Sequence, residues 1–65
     1  MKTTQEYFKY LIKELKEKDS KICKSILERS EKFNDDYINE ISKMLFFLYK
    51  VEGIRIANYK EFQRL

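Results

Sequence analysis

Six large apolar residues follow one another from Met44 to Tyr49, inside a stretch that otherwise has the periodicity of an amphipathic helix. Because successive residues of an α-helix are rotated by about 100°, this run faces every side of the helix. Such a helix needs cover on all sides, and a chain of 65 residues offers little material for it. The run therefore indicates that a partner, either a second copy or another protein, covers part of this helix.

The scarcity of chain-breaking residues favours an all-α fold. The sequence contains no proline and a single glycine, Gly53, whereas strands joined by tight turns usually need more of both. Apolar residues recur at helical spacing along the chain. We therefore expect a single domain, residues 1–65, that forms a small helical bundle of three main helices and a short C-terminal helix. The expected helices span roughly residues 4–18, 20–33, 36–52 and 55–64.

Local signals support these boundaries. Thr3 and Glu6 have the spacing of a capping box at the first helix. Asp19-Ser20 offers a second N-cap, and Asn34-Asp35-Asp36 is the clearest interruption of the helical pattern. Gly53 stands where the third helix should end in a left-handed residue.

The apolar stripe in the first half of the chain is compatible with two arrangements. The stripe keeps one phase, to within about 40°, through the Asp19-Ser20 position. Residues 4–33 would then form one helix about 45 Å long, which the shorter third helix could not cover without a dimer. Asp and Ser are poor helix-interior residues, so we expect a break at Asp19 and a compact bundle. The stripe consists of Phe8, Leu11, Leu15, Ile22, Ile26 and Phe33.

The sequence offers no recognisable catalytic or cofactor-binding motif. There is no histidine to activate a nucleophile or bind zinc, and Cys23 lies at the edge of the apolar stripe, as a small buried residue would. Helix capping accounts for the polar cluster Asn34-Asp35-Asp36, which lacks the spacing of a calcium loop. One glycine excludes a glycine-rich phosphate loop. We predict a protein that is not an enzyme and has no cofactor or metal.

The sequence also predicts a soluble, cytoplasmic protein. The N-terminus runs into charged helical sequence without an apolar signal core. The longest apolar run has six residues, whereas a helix needs about 20 to span a bilayer. A lone cysteine suits a reducing compartment.

A lysine face on the first helix is the first candidate binding surface. Lys9, Lys13 and Lys16 share one side of the helix, and Lys24 would extend it if the helix were continuous. Such a face could contact nucleic-acid phosphates or an acidic protein. The chain contains only three arginines, and its Glu–Lys pairs at i,i+4 are equally typical of a solvated helix. These pairs are Glu14–Lys18, Glu17–Lys21 and Glu28–Lys32.

The third helix is the second candidate surface. Its core stripe leaves out Phe46 and Phe47. Either residues 54–65 fold back over these rings, or the rings form an exposed patch of the kind that marks an interaction site. The stripe comprises Ile38, Ile41, Leu45, Leu48 and Tyr49, and the expected cover comprises Ile56, Tyr59 and Phe62.

The function predicted from these features is non-catalytic protein–protein interaction, by a small helical adaptor or inhibitor of a larger assembly. Phe46, Phe47 and Val51 would be the anchors, and the partner would be another protein or a second copy. Small chains in compact genomes, such as those of phages and mobile elements, often have such roles. One alternative is a dimeric nucleic-acid-binding regulator that uses the lysine face, and another is a self-assembling bundle subunit.

Overall fold

The computed structural model describes residues 2–65, and within that range the chain forms four α-helices and no strand. The helices are α1 (Thr4–Glu17), α2 (Lys21–Glu28), α3 (Ile38–Glu52) and α4 (Tyr59–Gln63). Helix α2 packs against α1 and α3, and α4 packs against α1. The predicted all-α bundle with a short C-terminal helix is confirmed.

The break between α1 and α2 lies at residues 18–20. Lys18 and Ser20 both have extended backbone conformations, and the Ser20 hydroxyl accepts a hydrogen bond from the Cys23 amide at 3.2 Å. This serine satisfies one of the amides that a helix start leaves without an intrahelical partner. The alternative of one continuous helix over residues 4–33 is therefore wrong, and the dimer that such a helix would have required loses its basis.

Helix α2 is also shorter than predicted, because the chain tightens after Glu28. Two 3₁₀ turns, Ser30–Lys32 and Asp35–Tyr37, occupy the segment that joins α2 to α3. Asn34 begins the second turn and accepts a hydrogen bond from the Tyr37 amide at 3.0 Å. The prediction that the second helix continues to residue 33 was wrong, since Phe33 has an extended conformation between the two turns.

Helix α3 ends where the single glycine predicts. Gly53 has φ +68° and ψ 14°, in the left-handed region, and its amide donates to the Tyr49 carbonyl at 2.9 Å. Residues 53–58 are not helical, so the last helix is shorter than the predicted 55–64.

Helix α4 has five residues and depends on its cap. The Asn58 side chain accepts from the Glu61 amide at 2.9 Å, and the Glu61 carboxylate accepts from the Asn58 amide at 3.2 Å. This reciprocal pair is a capping box. At α1, the Thr3 hydroxyl accepts from the Glu6 amide at 3.1 Å, as expected.

The hydrophobic core draws on all four helices and on the segment before α4. Tyr7 belongs to it and is fully buried, although the periodicity favours Phe8, which is only partly buried. The buried apolar residues are Tyr7, Leu11, Leu15, Cys23, Ile26, Ile41, Leu45, Leu48, Ile56 and Phe62.

The two ends of the described chain are joined by hydrogen bonds. The Lys2 amide donates to the Gln63 side chain at 3.1 Å, and the Gln63 amide group donates to the Lys2 carbonyl at 2.7 Å. The Lys2 ammonium donates to the carbonyls of Phe62, at 3.0 Å, and Leu65. These contacts tie α4 to the start of α1.

Over residues 2–65, none of the helices combines the length and the apolar character that a membrane crossing requires.

Candidate protein interface on the third helix

Helix α3 buries one side and exposes large apolar side chains on the other. Leu45 and Leu48 are buried, whereas Phe46, Phe47 and Val51 are 61%, 56% and 58% exposed. We call Phe46, Phe47 and Val51 the α3 patch. Phe47 and Val51 are one helical turn apart and therefore neighbours on the helix surface. The six-residue apolar run is thus left without cover on this side.

The C-terminal segment does not cover the α3 patch, because its aromatic residues pack against α1. The Tyr7 ring lies 5.4 Å from both the Tyr59 ring and the Phe62 ring, measured between centroids. Phe62 also lies 4.9 Å from Tyr10. We call these four residues the aromatic corner. The alternative in which residues 54–65 cover Phe46 and Phe47 is wrong.

A hydrogen bond from Tyr7 fixes the path of that segment. The Tyr7 hydroxyl donates to the Ala57 carbonyl at 3.1 Å, just before α4 begins. Burial raises the pKa of this hydroxyl far above its ordinary value, with smaller contributions from Tyr10 and Glu61, so the group remains a donor. Tyr7 therefore holds the C-terminal segment on α1.

Tyr49 lies outside the core, contrary to the prediction that placed it on the buried stripe. Its side chain is about half exposed and lines a shallow hollow with Phe46, Arg55 and Ile56. The Lys50 ammonium lies 5.4 Å from the centre of the Phe46 ring, within range of a cation–π interaction. This side of α3 therefore combines exposed aromatic surface with positive charge.

On the other side of Phe47, a groove runs between α2 and α3. Its apolar lining comes from Ile22 and Ile26 of α2 and from Met44 and Phe47 of α3, and its volume is about 390 Å³. The charged residues that line it are Lys21, Arg29 and Lys43. We call this feature the α2–α3 groove. The groove cannot be read from the sequence, because a groove between helices depends on which helices pack together.

One partly buried polar contact joins the two walls of the groove. Ser20, which caps α2 and is 6% exposed, donates its hydroxyl proton to the Glu52 carboxylate in the last turn of α3. The Ser20 hydroxyl oxygen also accepts a hydrogen bond from the Cys23 amide. The start of α2 is therefore attached to the end of α3.

The lysine face of α1 is present, but Lys24 does not extend it in the predicted way. Lys9, Lys13 and Lys16 line a shallow hollow whose other residues are Ile12 and Glu17. Lys24 lies in α2, after the break at residues 18–20, and forms an exposed ion pair with Asp19 at 3.7 Å. The extension was expected only for a continuous helix, which the chain does not form.

Of the three predicted Glu–Lys pairs, one is an ion pair among residues 2–65. Glu14 and Lys18 lie 3.4 Å apart, whereas Glu17–Lys21 and Glu28–Lys32 are outside ion-pair distance in this part of the chain. Lys21 is thereby left available to the α2–α3 groove.

Two further reactive groups, Cys23 and Glu61, contribute to the fold. Cys23 is fully buried in the core. Hydrogen bonding to Arg55, and then to the Asn58 backbone, lowers the pKa of Glu61, which keeps the α4 cap charged. Within residues 2–65, no three histidine, cysteine or acidic side chains are grouped so that they could hold a metal ion.

Comparison with known proteins identifies no relative: no protein-family model, curated protein or solved structure matches this chain.

Proposed function

We propose that this protein is a non-catalytic protein–protein interaction module that docks through the α3 patch. The observation that carries the proposal is the exposure of Phe46, Phe47 and Val51 on one helix, beside a groove with an apolar lining. Isolated exposed apolar residues are ordinary, but contiguous ones typically mark interaction surfaces. An adaptor or inhibitor of a larger assembly fits this arrangement.

The energetics of aromatic burial support the proposal. Each Phe or Tyr ring removes roughly 150–250 Å² from water when it is fully buried, so two phenylalanine rings can dominate a small interface. Lys50, which lies over Phe46, and Lys43, one turn before Phe47, would favour an acidic partner surface around these rings.

The test is capture of a protein partner by the intact chain and by Phe47→Asp. We expect Phe47→Asp to keep the helical circular-dichroism spectrum and to lose capture, because a charge would be buried at the interface. Leu65→Asp is the matched control, since Leu65 is 73% exposed and lies outside α3. Equal capture by both variants, or global unfolding of Phe47→Asp, would contradict the proposal.

Sedimentation equilibrium separates a foreign partner from a second copy. The chain has a mass of 8.0 kDa, and a monomer over a wide concentration range would leave the α3 patch free for another protein. A dimer that Phe47→Asp converts to a monomer would instead make self-association the role of this surface.

A second candidate function is nucleic-acid binding by the lysine face. It is favoured by the grouping of Lys9, Lys13 and Lys16, none of which forms an ion pair within residues 2–65. This function requires affinity that falls steeply between about 50 and 200 mM salt, and a smaller salt slope after Lys→Gln changes on this face. Salt-independent behaviour, or no binding to duplex DNA or RNA, would exclude it.

A further inference from the structure

The α2–α3 groove carries an inference about the chemistry of the partner, and this inference rests on the proposed function. The groove has an apolar floor between two helices, the form that commonly receives the apolar face of a third helix. Phe47 belongs both to this groove and to the α3 patch. A partner seated in the groove would therefore contact the patch as well.

The charged residues that line the groove all have one sign. Lys21, Arg29 and Lys43 are cationic, and no carboxylate lines the groove with them. Within residues 2–65, Lys21 and Arg29 form no ion pair, and Lys43 forms only an exposed pair with Glu40 at 3.6 Å. The edge of the groove is thus available to negatively charged groups.

Arg29 occupies one end of the groove. One of its guanidinium nitrogens lies 3.9 Å from the Met44 sulfur, so the side chain reaches from the end of α2 to α3. A thioether is a weak acceptor, and a carboxylate would form a much stronger, charge-assisted hydrogen bond with the same group.

The spacing of the cations sets the spacing of the acids that they can bind. Lys21 is the first residue of α2 and Arg29 follows its last residue, so they are about 12 Å apart at 1.5 Å per residue. On a ligand helix, residues i and i+7 share a face and are about 10.5 Å apart, and i+3 and i+4 lie between them on that face. Long lysine and arginine side chains can bridge the difference.

We infer that the α2–α3 groove binds an acidic amphipathic helix of a partner protein, with carboxylates at i and i+7 and large apolar residues at i+3 and i+4. The carboxylates pair with Lys21 and Arg29, and the apolar residues pack on Ile22, Ile26 and Phe47. A second copy of this chain suits the groove less well. The chain carries a net charge of +3, and a two-fold contact through the groove would bring the same cations together.

The test is selection from a phage-displayed library of random peptides of about 16 residues, long enough for four helical turns. The bait is the intact protein. We expect the enriched peptides to share the acid–apolar–apolar–acid spacing. A synthetic copy of an enriched peptide should bind about tenfold more weakly to the Lys21→Glu, Arg29→Glu double variant in low salt, and the difference should shrink as salt rises.

Three variants control for other causes of weakened binding. Arg29→Gln removes one charge without placing an acid at the end of α2, and it should give an intermediate loss. Lys60→Glu and Arg64→Glu change the charge by the same amount per residue at exposed positions outside the groove, and they should leave peptide affinity within about twofold.

The outcomes separate the inference from the proposed function. Enriched peptides without paired acids, or affinity that Lys21→Glu, Arg29→Glu leaves unchanged, would overturn the inference. If capture of a protein still depends on Phe47 in that case, the proposed function stands and only the groove assignment fails. If the library yields no binder and Phe47→Asp captures as much protein as the intact chain, both fail.

Discussion

The ten aromatic side chains of this small protein are divided between two regions with opposite exposure. Seven rings form a connected set of ring pairs across α1, the 3₁₀ turns and α4, with centroid separations between 4.9 and 6.2 Å. The other three, Phe46, Phe47 and Tyr49, lie on α3 and pair with no ring in the described part of the chain. Residue type alone therefore does not decide which rings are buried.

The path of the chain after Gly53 determines which aromatic rings are buried. The Asn58 cap and the hydrogen bond from the Tyr7 hydroxyl place Tyr59 and Phe62 against α1, so the rings of the aromatic corner pack against one another. The same path takes these residues away from α3, whose rings remain in solvent. The aromatic corner contributes to the stability of the fold, whereas the α3 patch is apolar surface that the fold leaves exposed.

The largest expected effect is that of Tyr7→Ala in the aromatic corner. Removing this fully buried ring should lower the free energy of unfolding by about 3–5 kcal/mol, because it leaves a cavity and removes the bond to Ala57. Phe47→Ala, its counterpart in the α3 patch, should change that free energy by no more than about 0.5 kcal/mol. Urea denaturation followed by circular dichroism measures both.

If Tyr7→Ala does not fold, Tyr7→Phe keeps the test available. It retains the ring and deletes the hydroxyl, so it should cost about 1 kcal/mol. Similar losses for Tyr7→Ala and Phe47→Ala would show that the two aromatic regions do not differ in the way described.

An effect of intermediate size is expected for Asn58→Ala, which removes the N-cap of α4. The loss should be about 1 kcal/mol, and it should expose Tyr59 and Phe62 because α4 is too short to persist without its cap. Asn39→Ala, at an exposed position of α3, is the matched control and should be neutral or slightly stabilising. Hydrogen exchange of the α4 amides would show whether the loss is local; unchanged protection there would count against a role for the cap.

The smallest effect is a pH dependence at the same cap. The pKa of Glu61 is lower in the folded protein than its ordinary value of 4.5, first because of the bond to Arg55. Its contribution to stability is therefore complete above that ordinary value and disappears as the pH falls through the lower, folded value. Thermal unfolding of the intact chain and of Glu61→Gln should differ near neutral pH and converge in acid. A constant difference at all pH values would contradict this linkage.

Local signals in the sequence predicted the caps and breaks well. Ser20, Asn34 and Gly53 each act where their side-chain chemistry or backbone freedom predicts, because capping depends on residues only a few positions apart. The same local rules predicted the break that replaces a continuous helix.

Features that depend on distant packing could not be read from the pattern. Tyr7, and not Phe8, lies at the centre of the core because residues some fifty positions later pack against it. Helix α4 supplies its aromatic neighbours, and Ala57, just before α4, supplies its hydrogen-bond acceptor. The periodicity placed Tyr49 on the buried stripe, but the segment after Gly53 leaves its side chain about half exposed. The α2–α3 groove likewise arises only when two helices separated by tight turns pack side by side.

The hydrogen bonds between Lys2 and Gln63 bring the beginning and the end of the described residues 2–65 next to each other. A short linker could join residues 2 and 65, and a new start could be opened in the non-helical segment 53–58 without cutting a helix. In such a circular permutant α4 would precede α1, so the aromatic corner would form between adjacent helices instead of between the ends of the chain. Because contacts close in sequence form faster than distant ones, the permutant should fold faster than the original order while presenting the same α3 patch.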